Sequence, residues 1–191
     1  MSIKKEIQQI FLESSSVIES SQFLSEDIEN TVNIISSSFR KGKKLVIFGN
    51  GGSAADAQHI AAELIGRFQM KRDSLPAIAL TTDSSILTSI GNDFSFNDIF
   101  SRQVEGLVNS GDVVLGISTS GNSINIINGL KSAKSKNAKT ISILGNNGGK
   151  IKNFSDVSII VNSSSTPRIQ EVHRVIYHII CEHIEKKLSK K

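Results

Sequence analysis

The chain contains no tryptophan, one tyrosine, one cysteine, two prolines and two methionines. Each scarcity excludes something. A single cysteine, Cys181, forms no internal disulfide, so the fold must hold without one, as suits a reducing cytoplasm. Cys181 itself reads as a small packing residue of a helix. With no tryptophan and no basic stripe interleaved with aromatics, nucleic acid is not the expected ligand. Long apolar runs are also missing. "KLVIFG" and "DVVLGI" are far too short to span a bilayer, so no membrane association is expected. The start, "MSIKKEIQQIF", shows no unbroken apolar stretch and no cleavage site, and predicts a cytoplasmic protein.

What is present is ordinary for a globular domain. Hydrophobic residues make up 38% and charged residues 21% of 191 positions, enough for one core. The net charge is +4, with the excess in "RKGKK", "KSAKSKNAK" and "EKKLSKK". These are lysine-rich connections and a tail, and the modest positive field would favour an anionic ligand.

Residues 3–40 read as two helices. Ile3, Ile7, Ile10 and Phe11 recur at helical spacing, as do Ile28, Val32, Ile35 and Phe39. Ser25, before Glu26 and Asp27, reads as the cap of the second. A helical preamble must bury its apolar face, and a subunit interface is the expected place. From residue 44 the pattern changes. Short apolar runs at 44–49, 77–82, 112–118, 139–145 and 156–162 alternate with helix-length segments. That alternation predicts a doubly wound α/β domain with a five-stranded parallel sheet. The division expected is a helical pair over 1–41 and one domain over 42–191. Pro167 opens a last helix running to about residue 187.

Ligands of open parallel sheets gather at the carboxyl ends of the strands. After the first run stands "GNGGSAADAQHIAAEL". Gly49, Gly51 and Ala54 fit a relaxed dinucleotide fingerprint, but the next acid after a strand, Asp83, is too distant to serve the ribose. Asn50, Gly51, Gly52 and Ser53 instead offer bare amides and one polar side chain to a polyol; Ser53 also suits a helix cap. After the third run, "GISTSGNS" gathers Ser118, Thr119, Ser120 and Ser123 before a helix. One hydroxyl suffices for capping. Four, with the free N–H groups of a helix N-terminus, make a cradle for a phosphate monoester. No lysine is present, so this is not a nucleotide-hydrolase loop.

His59 and Glu63 stand four apart in "HIAAE", on one face of a helix. In "RIQEVHRVIYH", Gln170, Arg174 and His178 form an i, i+4, i+8 row, whereas His173 points elsewhere and reads as structural. His178 meets His59 and Glu63 if the two helices approach, within a subunit or between two. Two histidines, a glutamate and a glutamine suffice for zinc, although glutamine is an unusual ligand. The same Glu63 and His178 suit general base and acid chemistry, and spacing alone does not choose. Asn92 and Asp93, in "GNDFSFNDIFSRQVE", suit ligand hydroxyls or a turn equally. Phe94, Phe96 and Phe100 read as core.

Together these four motifs resemble the sugar isomerase (SIS) domain family over nearly the whole chain. Within it they are most similar to the branch that converts sedoheptulose 7-phosphate to D-glycero-D-manno-heptose 7-phosphate through an enediol. The resemblance implies phosphate binding by Ser118, Thr119, Ser120 and Ser123. It implies sugar contacts from Asn50, Gly51, Gly52, Ser53, Asn92, Asp93 and Gln170, and an acid–base pair of Glu63, which also touches substrate, and His178. It further implies one Zn²⁺ per subunit on His59, Glu63, Gln170 and His178. A homotetramer with sites at subunit junctions is implied, as is a product destined for nucleotide-activated heptose and lipopolysaccharide or capsule. Non-catalytic members of the family bind a replication initiator or sense sugar phosphates. The initiator-binding group lacks the Glu and second His and interrupts "STSGNS" with arginine; this chain has Glu63, His178 and an uninterrupted motif.

Overall fold

The computed structural model describes residues 2–189. The last two lysines of the terminal basic tail lie outside them. The order of elements is α1 (Ile3–Ser20), α2 (Ser25–Arg40), β1 (Leu45–Gly49), α3 (Gly52–Ile65), β2 (Ala77–Ala79), α4 (Ser84–Asp93) and α5 (Ser101–Leu107). It continues with β3 (Val113–Ser118), α6 (Ile124–Ser135), β4 (Lys139–Gly145), β5 (Val157–Val161) and α7 (Thr166–Leu188). The strands pair in the order β2-β1-β3-β4-β5, all parallel.

Two cores face opposite sides of this sheet. Strand residues that point one way, such as Ile47, Leu115, Ile141 and Ile143, pack with Leu24, Ile35, Ile60, Ile176 and Tyr177 from α2, α3, α7 and the turn before α2. Their neighbours Val46, Phe48, Val114 and Leu144 pack with Phe100, Val104, Ile126 and Leu130 from α5, α6 and the segment before them. Alternation of side chains along each strand explains the split. Burial on both faces explains why β1 and β3 read as unbroken apolar runs rather than alternating ones.

The two preamble helices differ. Ile28, Val32, Ile35 and Phe39 of α2 are buried in the first core. None of α1 is buried, and Ile3, Ile7, Ile10, Phe11 and Leu12 are exposed. Ser25 is not a cap: it lies inside α2, and its hydroxyl donates to the carbonyl of Gln22, because the chain enters α2 directly from a 3₁₀ turn. Phe100 is core, but Phe94 and Phe96 are exposed, and the Arg102 guanidinium covers the Phe94 ring at 3.8 Å. Among the described residues, no helix is long and apolar enough to cross a membrane.

Strand order reverses between β1 and β3, where a crevice opens at their carboxyl ends. Gly49 and Ile117 are register partners, so the two glycine-serine turns leave the sheet side by side.

Candidate active site

The turn after β1 depends on glycine. Gly51 has φ +56°, in the region L-residues avoid, and this turns the chain abruptly into α3. Asn50 does not face open solvent. Its amide exchanges two hydrogen bonds with the amide of Asn125 on α6, at 2.9 and 3.0 Å. Asn125, which sequence spacing does not single out, thus stitches the first turn to the helix after the second. Ser53 is buried in the first turn of α3, and no side chain caps that helix.

In the second turn, the buried Ser118 hydroxyl accepts the Gly121 N–H at 3.1 Å and lies 3.4 Å from the Ser120 hydroxyl. Ser120 is exposed and accepts the Asn122 N–H. Ser123 is the first residue outside α6 and makes no capping bond with its side chain. Thr119 is half-buried, and its carbonyl accepts from Asn146. Gly121 has φ +67°, and a Cβ there would stand 2.3 Å from the carbonyl oxygen of Gly148. The loop is therefore held from behind by the turn after β4, with the Ser120 hydroxyl outward. Asn92 and Asp93 lie in the last turn of α4, exposed and bonded to each other at 2.8 Å. Asp83 caps α4 by accepting the Ile86 N–H, which accounts for that acid without a ribose.

The second cluster lies elsewhere. Helices α3 and α7 pack together and bring His59, Glu63, Tyr177 and His178 to one place within a single subunit. His59 Nε2 is 2.9 Å from Glu63 Oε1, and the His59 and His178 rings are 5.2 Å apart between centroids. Phe68 closes the far side of the His178 ring at 5.6 Å. Burial, with the neighbouring His59, holds the His178 imidazole below its ordinary pKa.

Tyr177 orders this cluster. Its hydroxyl is 3.0 Å from His59 Nδ1 and 3.4 Å from the buried carboxylate of Asp56. Burial and Asp56 push the phenol up to about 12, so it keeps its proton. The phenol and Nδ1 of His59 share a single hydrogen bond, which fixes the plane of the imidazole. On its other side the same ring presents Nε2 to the Glu63 carboxylate, so the imidazole bridges phenol and carboxylate. Asp56 is itself buried, which raises its carboxyl, and Arg174 Nη2 stands 3.5 Å away as partial compensation.

That donor set fits zinc chemically: two imidazoles and a carboxylate, with one imidazole oriented through its other nitrogen. Gln170 does not join them. It sits against Gly52, where a Cβ would be 2.5 Å from Gln170 Nε2. Eight residues separate it from His178 on α7, about 12 Å along the axis. Among the described residues, no three His, Cys, Asp or Glu converge as a complete metal site. The expected quartet is thus split within one subunit, with His59, Glu63 and His178 at one end and Gln170 at the other. His173 is wholly buried, on another side of α7 from this cluster.

A sequence profile of the SIS domain matches residues 11–145. The phosphoheptose isomerase of Sulfurimonas denitrificans is 49% identical over 186 residues, covering 97% of this chain and 95% of that protein. The phosphoheptose isomerase of Geobacter sp. (strain M21) is 54% identical over 165 residues, 86% of either chain. The chain belongs to the phosphoheptose isomerase family. The solved phosphoheptose isomerase of Neisseria gonorrhoeae superposes with a TM-score of 0.92 at 39% identity, covering 97% of this chain and all of that one. The single SIS domain with its parallel five-stranded sheet and leading helices is therefore the fold of that family.

Proposed function

We propose that the protein is an aldose–ketose isomerase that converts D-sedoheptulose 7-phosphate to D-glycero-D-manno-heptose 7-phosphate, in a pathway to nucleotide-activated heptose. The single observation that carries this reading is the meeting of Glu63 with His59 and His178 in a chain that also carries the four-hydroxyl turn. The reaction moves a carbonyl from C2 to C1. Glu63 takes the proton from C1 of the open-chain ketose and returns it at C2; His178, kept neutral by its surroundings, moves a proton between the two oxygens. Ser118, Thr119, Ser120 and Ser123 grip the phosphate, and Asn50, Gly51, Gly52, Ser53, Asn92 and Asp93 contact the polyol. Binding energy far from the reacting carbons then positions them. One zinc per subunit, on His59, Glu63, Gln170 and His178, would polarise the reacting oxygens.

The working enzyme in this reading is a homotetramer with shared sites. Glu63 lies eleven residues along α3 from Gly52, about 16 Å down the axis and away from the carboxyl ends of the strands. At about 1.2 Å per bond, the eight bonds from C1 to phosphorus span about 10 Å. The polyol turn at Gly52 and Glu63 of the same chain thus stand farther apart than the substrate is long, so in this reading a neighbouring subunit's acid–base pair completes each site, and Gln170 meets zinc the same way. A further support is α1, whose Ile3, Ile7, Ile10, Phe11 and Leu12 are exposed in the monomer. No nucleic acid or membrane enters this reading, and the compartment proposed is the cytoplasm. The test is conversion of sedoheptulose 7-phosphate by the purified protein, followed by release of the aldose; no conversion would end the proposal.

A further inference from the structure

The segment between α3 and β2, residues 66–76, has almost no regular structure, yet it is tied firmly to the end of α3. A helix leaves its last four carbonyls unpaired. Those of α3 are all taken. Ala62 accepts the Gly66 N–H at 2.9 Å, Glu63 accepts Arg72 Nη2 at 2.8 Å, Leu64 accepts Arg72 Nη1 at 2.8 Å, and Ile65 accepts the Ser74 hydroxyl at 2.7 Å. Arg72 thus binds the main chain of Glu63 itself.

The same guanidinium has a second partner. Its Nε donates to Glu185 at 3.0 Å; the Arg72 side chain is 4% exposed and that of Glu185 1%. Glu185 also accepts the N–H groups of Phe68, Gln69 and Met70 at 3.1, 2.7 and 2.7 Å. Burial alone would raise this carboxyl; the three amides and Arg72 outweigh it and hold the group ionised, below its usual range. Glu185 stands seven residues beyond His178 on α7, so the two share a face about two turns apart. The first residue it holds, Phe68, is the one that packs on the His178 ring.

We propose that the buried Arg72–Glu185 pair is a positioning device for the acid–base pair, fixing the turn of α3 that bears Glu63 and, through Phe68, the ring of His178. Neither residue touches substrate. The pair links the end of one catalytic helix to the face of the other, so that the separation of carboxylate and imidazole is set by a rigid clasp rather than by a loose connection. Proton transfer is sensitive to such placement, while phosphate binding at the far end of the sheet is not. The inference rests on the isomerase reading.

The test uses the full-length protein and two variants. Arg72→Lys keeps the buried positive charge but cannot reach Glu185 and both helix carbonyls together. Glu185→Gln keeps the shape but turns an amide donor toward donors. The expected result for each is a kcat lowered tenfold or more, with KM for sedoheptulose 7-phosphate and inhibition by inorganic phosphate within about twofold of wild type. Should Glu185→Gln fail to fold, Arg72→Lys carries the test. A folded Arg72→Lys with wild-type kcat overturns the clasp, and so does a loss of activity that only follows the fraction of unfolded protein. A wild type without turnover overturns the isomerase reading and this inference together; a wild type with turnover and unaffected variants overturns the clasp alone.

Discussion

Tyr177 and His59 are joined at 3.0 Å between the phenol oxygen and Nδ1, and this contact turns Nε2 of His59 toward Glu63. The phenol thereby orients the ring from outside the reacting groups. Tyr177→Phe keeps the packed ring and removes the bond. The wild-type protein is expected to carry one zinc per subunit by elemental analysis and to lose turnover on chelation. The phenylalanine variant is expected to bind zinc about tenfold or more weakly. Metal-free wild type with full activity would remove zinc from the account; unchanged zinc affinity in the variant would remove the role of Tyr177.

Ser120 presents its hydroxyl outward at the lip of the second turn. A hydrogen bond to a charged phosphate is worth about 1.5 kcal/mol or more, about tenfold in binding. Ser120→Ala is expected to raise KM by about that factor while kcat changes little. Steady-state kinetics decide, and an unchanged KM counts against the cradle.

His173 gives the fold a pH dependence of its own. It is wholly buried on α7, and neither ring nitrogen has a hydrogen-bond partner of ordinary geometry. Burial pushes it down to about 4, with the main chain of Leu144 offsetting only part. The folded state favours the neutral ring, so the contribution is fully present above pH 6.5 and is lost as pH falls toward 4. The shift corresponds to about 3 kcal/mol. Urea unfolding at pH 7 and pH 5 is expected to show a fall in wild type that is smaller in His173→Leu. An equal fall in both would assign the effect to other groups. The carboxylates held low by partners, such as Asp112 and Glu185, titrate below this window.

The exposed apolar face of α1 supplies a test of shared sites. Phe11 is 69% exposed and touches nothing catalytic within the monomer. Phe11→Asp is expected to shift the protein from the proposed tetramer to smaller species in sedimentation and to lower turnover in proportion. Full activity in a monomeric variant would place the whole site in one subunit.

Much of this was legible because the strands are buried on both faces, so "KLVIFG" and "DVVLGIS" stand out as apolar runs whose carboxyl ends mark the ligand crevice. His59 and Glu63 were legible through helical spacing, and His178 through its row. The remainder depends on contacts between distant segments. Asn125 reaches Asn50 across the crevice, and Glu185 reaches Arg72 across two helices. No local period marks either pair. The misreadings are of the same kind. Phe94 and Phe96 look like core by composition, but their segment lies on the surface beyond α4. Gln170 shares a helical face with His178 yet is separated from it along the axis.

The most direct test of the account is the isomerisation of sedoheptulose 7-phosphate in deuterium oxide, by wild type and Glu63→Gln. The prediction is that wild type forms D-glycero-D-manno-heptose 7-phosphate with deuterium at C2 in the fraction of turnovers in which the proton on Glu63 exchanges with solvent before its return, while Glu63→Gln stays folded and loses turnover by at least about 100-fold. A folded Glu63→Gln with wild-type turnover, or no conversion by the wild type, would contradict it.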